Sequence, residues 1–245
     1  MKRIVFTLLI LLAANLLWAD CPNCIFYGGD FDYNNPNANG LGNENNAIVG
    51  GDPYGAATYQ NFVVGAGCLT ASCWNSSGVL ISGLFTNNLS QVTPTAGYWE
   101  IRSGISEGNG GTLIASGTGS VTNTPTGRSG FGYDEYRNEV DGLDVILNGG
   151  GTYWFAVVPV CTSCAGRSFN SNTFGLNRVG TEIDNQQYWN SAFFGSNFSN
   201  ANNQGVFPAF SSGVISNSVP EPSSLVLLGS GLMGAAIVVR RRWFS

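Results

Sequence analysis

The stretch "YDEYRNEVDGLD" crowds five carboxylates, Asp134, Glu135, Glu139, Asp141 and Asp144, around a single cation, Arg137. Paired carboxylates are the equipment of glycoside hydrolysis, one as acid and one as base or nucleophile. The spacing also has a plainer reading. On a strand, Glu135, Arg137 and Glu139 alternate onto one face, where the guanidinium balances two carboxylates on a solvated outer surface. A second oxygen-rich stretch, "GGDFDYNNPNANGLGNENN", sets Asp30, Asp32 and Asn34 at alternate positions, with Asn37, Asn39 and Glu44 after them. These are the hard ligands calcium takes, but an EF-hand loop would need Gly where Asn35 stands and a bidentate Glu where Leu41 stands. The expected role is an Asn-rich connector whose side chains bond their own backbone in turns, with calcium held outside an EF-hand as the alternative.

Other chemistries lack their parts. The chain has no His, so no Ser-His or Cys-His pair can form, and no Lys lies between residues 20 and 219 to serve as an amine base. No Gly-rich run precedes a helix ending in Lys-Ser or Lys-Thr, so there is no phosphate cradle. Six cysteines fall into three close pairs, Cys21 with Cys24, Cys68 with Cys73, and Cys161 with Cys164. Disulfides are the expected state in an exported chain, local pairing being the simplest of the 15 connectivities. "CPNC" and "CTSC" also raise a redox centre, which wants a helix start within a βαβ pattern, or an all-cysteine zinc site spanning most of the body.

The elements that must position these residues read as strands. From Ala57 onward, short β-type runs alternate with Gly, Asn, Ser and Pro, and no window keeps a helical period. Candidate strands are "ATYQNFVVG", "SGVLISGLFTN", "GYWEIRSGI", "GTLIASGTGSVT", "GLDVILN", "GTYWFAVVPV", "NTFGLNRVG" and "QQYWNSAFF". In "GLDVILN", Leu143, Val145 and Leu147 point one way and Asp144, Ile146 and Asn148 the other. "NGGGT" predicts a hairpin from that strand into "TYWFAVVPV", and "EGNGGT" a second between "WEIRSGI" and "LIASG". The expected fold is all-β, an antiparallel β-sandwich of jelly-roll kind. Phe62, Trp99, Tyr153 and Phe155 are expected in its core, while Tyr188 and Trp189, flanked by amides, could instead form an exposed platform for sugars.

Residues 20–219 hold fourteen Asp or Glu against five Arg, a net charge of −9. Nucleic acid is not an expected partner, since phosphate backbones are bound by Lys and Arg. Sequons occur at Asn75, Asn88 and Asn197 and mark surface loops if the host glycosylates.

Both ends are apolar. "MKRIVFTLLILLAANLLWAD" has the basic start, apolar run and small residue of a secretory signal peptide, with cleavage expected after Ala19. Near the other end, residues 223–239 carry no charge and at a helical rise of about 1.5 Å per residue just reach across a membrane. Arg240, Arg241 and Arg242 follow and are expected to stay inside the cell, leaving the body outside. Pro220 and Pro222 flank Glu221 and hold the backbone extended, suited to an enzyme's groove.

"VPEP", an apolar stretch and "RRR" together resemble the PEP-CTERM sorting signal of Gram-negative bacteria. The resemblance implies recognition by an exosortase, a membrane-embedded cysteine protease-like enzyme, with cleavage near Pro220, Glu221 and Pro222 and export in company with exopolysaccharide. "YWEIRSGISEGNGGTLIASG" and "GLDVILNGGGTYWFAV" are similar to segments that recur in PEP-CTERM surface proteins of no assigned activity, which implies a shared β domain. The expected organisation is a signal peptide at 1–19, an Asn/Gly-rich segment at 20–56, a β-sandwich domain at 57–217 and the sorting signal at 218–242. The expected function is that of a non-enzymatic surface or matrix protein, held by the inner membrane until processed and then structural or adhesive, with exopolysaccharide as a partner. A secreted carbohydrate-binding module is the alternative, and a glycan hydrolase the third.

Overall fold

A computed structural model describes Cys21 and residues 24–46, 55–65, 73–74, 78–161, 166–192, 194–205 and 209–216. The signal peptide, the sorting segment with its span at 223–239, Asn75, Cys68 and Cys164 lie outside the described residues. Among those described, no helix is long and apolar enough to cross a membrane. The protein is all-β. Its strands are β1 (Cys24–Tyr27), β2 (Gly40–Gly42), β3 (Asn45–Asn46), β4 (Ala56–Val63), β5 (Cys73–Trp74), β6 (Gly78–Ser90), β7 (Ala96–Ser103) and β8 (Thr112–Gly130). There follow β9 (Tyr133–Asn148), β10 (Thr152–Cys161), β11 (Ser168–Thr173), β12 (Tyr188–Ser191), β13 (Ser196–Asn200), β14 (Ala209–Phe210) and β15 (Ser212–Ser216).

The hydrogen-bonded path runs β1-β15-β6-β9-β8-β7-β10-β4-β12-β13, antiparallel throughout, with β3 added parallel to β10. β8 and β4 each change partner along their length. β8 pairs with β7 from Thr112 to Ser120 and with β9 from Val121 to Gly130. β4 pairs with β12 over Ala56–Tyr59 and with β10 over Gln60–Val63. Strands that pass between sheets in this way turn the corners of a β structure.

One apolar core joins Phe26 of β1, Ile81 and Leu84 of β6, Leu143, Val145 and Leu147 of β9, and Val214 of β15 to Phe62 of β4, Ile101 of β7, and Tyr153 and Phe155 of β10. The alternation in β9 is as the sequence reads, with Asp144, Ile146 and Asn148 exposed. Phe62 packs edge-on to Phe155 at 5.7 Å between centroids and lies 6.1 Å from Tyr153, while Trp99 packs partly buried against the same cluster.

Two local expectations are corrected. "NGGGT" is a turn, but β9 and β10 do not pair with each other: β9 bonds to β6 and β8, and β10 to β7 and β4. Leu147 and Tyr153, on either side of the turn, both enter the apolar core, so the turn delivers two strands to the same core without pairing them. "EGNGGT" does close a hairpin, with Ser103 opposite Thr112. "NTFGLNRVG" is a strand only to Thr173, because Gly175, Asn177 and Gly180 take φ of 85°, 59° and 77°, a left-handed backbone no strand sustains.

The Asn/Gly-rich segment supplies β1, β2 and β3. β1 pairs with β15 and β2 with β11. Its Cys21 and Cys24 form a disulfide with Cα atoms 5.4 Å apart, and Cys161 is also disulfide-bonded.

Candidate functional site

The carboxylates singled out by the sequence sit beside a bulge. Pro125 of β8 is opposite Tyr136 of β9 and Ser129 is opposite Asp134, so Thr126, Gly127 and Arg128 together face Glu135 alone. Gly127 takes φ 78°, open to it because it lacks a Cβ. Pro125 is tolerated there because a bulge needs no ladder donor. Such insertions re-aim side chains. Here the bulge turns Thr126 and Arg128 onto Glu135, whose Oε2 accepts from Arg128 Nε at 2.5 Å and Thr126 Oγ1 at 2.9 Å, while Oε1 accepts from Ser171 Oγ at 2.8 Å.

Arg128 reaches a second buried carboxylate, Asp30, at 3.2 Å. Asp30 also accepts from the Tyr27 hydroxyl at 2.6 Å and from Asn177 Nδ2 at 2.7 Å. Asn87 Nδ2 donates to the Tyr27 oxygen at 2.9 Å and to Ser211 Oγ at 2.7 Å. Burial, with the charge of Asp30, pushes the Tyr27 phenol far above its ordinary range. Arg128 is held protonated by Glu135 and Asp30, although its partial burial works against the charge.

In front of this network lies a cleft of about 180 Å³ lined by Tyr27, Phe85, Asn87, Pro125, Arg128 and Arg137 among others. Its charged lining is cationic. Glu135 has no accessible surface and stands behind Arg128. The expectation of a solvated outer face is therefore corrected for Glu135: Ser171 of β11 and the bulge of β8 cover it. Arg137 does lie on that face, 5.7 Å above the Phe85 ring and 3.7 Å from Glu139. Burial, then Asp141, raises the Glu139 carboxyl against the opposing pull of Arg137. Asp134, Asp141 and Asp144 are exposed. A glycosidase flanks its substrate with two carboxylates in shared space; here both oxygens of Glu135 are engaged by protein donors.

Another buried carboxylate, Glu100, is closed off in the same manner. It accepts hydroxyls from Tyr59 and, at 3.0 Å, Tyr98, and pairs with Arg102 at 2.8 Å. Arg102 stacks 5.3 Å over Phe198. Burial, with Glu100 beside it, raises the Tyr59 phenol well above its usual value. Glu44 pairs with Arg167 at 2.7 Å, and Glu182 with Arg178 at 2.8 Å.

The proposed calcium ligands are dispersed. Asp30 belongs to the buried network, Asp32 accepts from the Asn34 N–H at 3.0 Å, Asn35 from the Asn37 N–H at 2.9 Å, and Glu44 is paired with Arg167. These Asn and Asp bonds to backbone two residues on are the turns expected of a connector. Among the described residues, no group of three or more His, Cys, Asp or Glu side chains could hold a metal ion.

Tyr188 and Trp189 do not form an exposed platform. Each is 6 % exposed; Trp189 donates its indole N–H to Gly42 O at 2.8 Å and Tyr188 packs on Trp154. β12 is covered on one face by β2 residues and on the other by an aromatic cluster with Tyr59 and Phe198. Asn88, one of the sequons, is fully buried in β6, whereas Asn197 is exposed. Sequence reasoning passed over Arg128, Thr126 and Ser171, whose only signal was Pro125-Thr-Gly inside an otherwise β-type run.

Comparison with curated proteins finds no match, and comparison with solved structures finds none. One segment is matched, and it supports an exported protein that is anchored at its C-terminus and handed to an exosortase-type processing enzyme. Residues 218–242, which hold Pro220, Glu221 and Pro222 and end on Arg240, Arg241 and Arg242, match the family model of the PEP-CTERM protein-sorting motif, so this chain carries that motif at its C-terminus.

Proposed function

We propose that this chain is a non-enzymatic surface or matrix protein with a structural or adhesive role, released to the cell surface or the surrounding polysaccharide after its tail is processed. The observation that carries the reading is the sorting motif at residues 218–242. Supporting it, the buried carboxylates Asp30, Glu44, Glu100, Glu135 and Glu182 are each ion-paired with an arginine, so none of these five is a free acid or base. In this reading residues 1–19 are removed as a signal peptide, residues 223–239 span the inner membrane as a helix, and Arg240–Arg242 hold the tail inside. The body is a two-layer sandwich, its strand groups packed across the shared apolar core.

Intact mass measurement of the protein recovered from the native host's envelope and medium, in wild type and in Glu221→Ala, tests this reading. The expected wild-type mass lacks residues 1–19 and the tail beyond Pro222, and Glu221→Ala retains the tail. A full tail persisting in both would overturn the reading in favour of a simple membrane anchor.

A further inference from the structure

The β8–β9 hairpin reverses through only two residues, since Gly130 pairs with Tyr133. Those residues, Phe131 and Gly132, have φ of 56° and 83°. Positive angles at both central positions belong to the type I′ turn, whose usual occupants are Asn and Gly. Gly132 meets that demand freely. Phe131 does not: its Cβ crowds the backbone, and a bulky side chain with positive φ is an outlier. Nor does burial offset the strain, because Phe131 is 64 % exposed. Strained, exposed residues of this kind cluster at binding sites.

Its surroundings specify the chemistry. The Phe31 ring lies 6.4 Å from that of Phe131. A Cβ on Gly130 would stand 3.6 Å from the Tyr33 Cβ, which puts Tyr33, 58 % exposed, at the same tip. On the other side of Phe131 opens a cleft of about 130 Å³ that it lines with Asn39, Gly40, Leu89, Tyr133 and Phe169. Tyr133 and Phe169 are 5.6 Å apart, and Arg167, its charge taken up by Glu44, stacks 5.5 Å over Phe169 and fixes it. Asn39 is oriented by accepting the Gly40 N–H at 2.8 Å, and its NH₂ group has no partner among the described residues. The same holds for the hydroxyls of Tyr33 and Tyr133. Asn39 also borders a wider cleft of about 580 Å³ containing Asn37 and Phe174, so the surface continues past the tip.

We propose that this hairpin tip and the adjoining clefts bind an uncharged glycan chain. A pyranose ring has an apolar C–H face and a rim of hydroxyls; the rings of Phe131 and Tyr133 suit the face, and the Asn39 amide and tyrosine hydroxyls suit the rim. The glycan is uncharged because none of the described residues lining the cleft is a cation, Arg167 over Phe169 is already paired, and the body's charge of −9 repels polyanions. An anionic membrane surface is disfavoured by the same charge, since such surfaces are bound through Lys and Arg clusters. The proposal rests on the matrix-protein reading above and names its partner.

The test is calorimetric titration of the full chain in detergent with neutral polysaccharide from the host's own matrix and with neutral hexasaccharides. Polygalacturonate and phosphatidylglycerol vesicles serve as anionic probes. Wild type is expected to bind a neutral glycan, and Phe131→Asn to weaken binding at least about tenfold while raising the melting midpoint by about 3 °C as the strain is relieved. Tyr133→Ala is expected to weaken binding as well. The proposal is overturned if wild type binds no neutral glycan, if Phe131→Asn binds as wild type does, or if the anionic probes bind in place of neutral ones. It is also overturned if sedimentation shows Phe131→Asn merely dissociating a dimer. Tail processing of Phe131→Asn in the host is expected to match wild type, so loss of the glycan result leaves the sorting reading intact.

Discussion

The paired strands β6 and β9 pass through two interiors of opposite chemistry. At one end Ile81 is opposite Val145 and Leu84 opposite Val140, in the apolar core. At the other, Asn87 is opposite Arg137 and Leu89 opposite Glu135, and the buried groups around them are amides, hydroxyls and ions. There Asn170 of β11 donates to Thr58 Oγ1 at 2.7 Å and Ser212 Oγ at 2.9 Å, and accepts from Thr86 Oγ1 at 2.8 Å. The same two strands pair in both halves, with a register shift between Ile81 and Gly83. Backbone pairing fixes the scaffold, whereas the tolerance of each half to change is set by whether its contacts are directional. Apolar contacts depend on area and volume, but a buried polar group stripped of its partner costs about 1–3 kcal/mol.

The comparison sharpens under substitution. Phe62→Ala, at the centre of the aromatic cluster, is expected to cost the most, about 4 kcal/mol, from lost transfer energy and the cavity left behind. Chemical denaturation would read it directly, and a loss under 1 kcal/mol would mean the core collapses around the gap. Asn170→Leu conserves volume but strips partners from Thr58, Thr86 and Ser212, and is expected to cost about 2 kcal/mol. If it were as harmless as a volume-conserving swap in the apolar core, the polar half would be passive filling and the distinction between the halves would fail.

The smallest effect expected is one of pH. Tyr27 and Tyr59 have phenols raised by burial and by the neighbouring Asp30 and Glu100. Unfolded, both ionise near pH 10; folded, both keep their protons. Because the folded state then binds more protons, stability is full below about pH 10 and declines above it. Phenolate absorbance should lack two tyrosines until the alkaline unfolding transition. A smooth titration of all nine tyrosines with the fold intact would refute this.

Much of the scaffold was legible. The alternation of Leu143, Val145 and Leu147 needs only a period of two, and the Gly-rich turns and core aromatics follow from local geometry and size. The pairing of β9 was not legible from "NGGGT", because a turn between two apolar strands can close a hairpin or cross a core, and only the packing of both faces chooses. The alternative of a platform at Tyr188 and Trp189 fell for a related reason: flanking amides look like surface until Trp189 finds Gly42 O, far away in sequence. Arg128 could not be paired with Glu135 without the bulge that swings it there.

The β class, the acidic and His-free chemistry and the sorting motif follow from the chain's residues alone, because composition, alternation and a short contiguous signal are local properties. Which carboxylates are buried, which strand faces are covered and which aromatics stay in water depend on packing between segments distant in the chain. Glu135 and Glu139 share a strand face by spacing alone, yet one has no accessible surface and the other does. Burial depends on what distant segments, here β8 and β11, lay over that face.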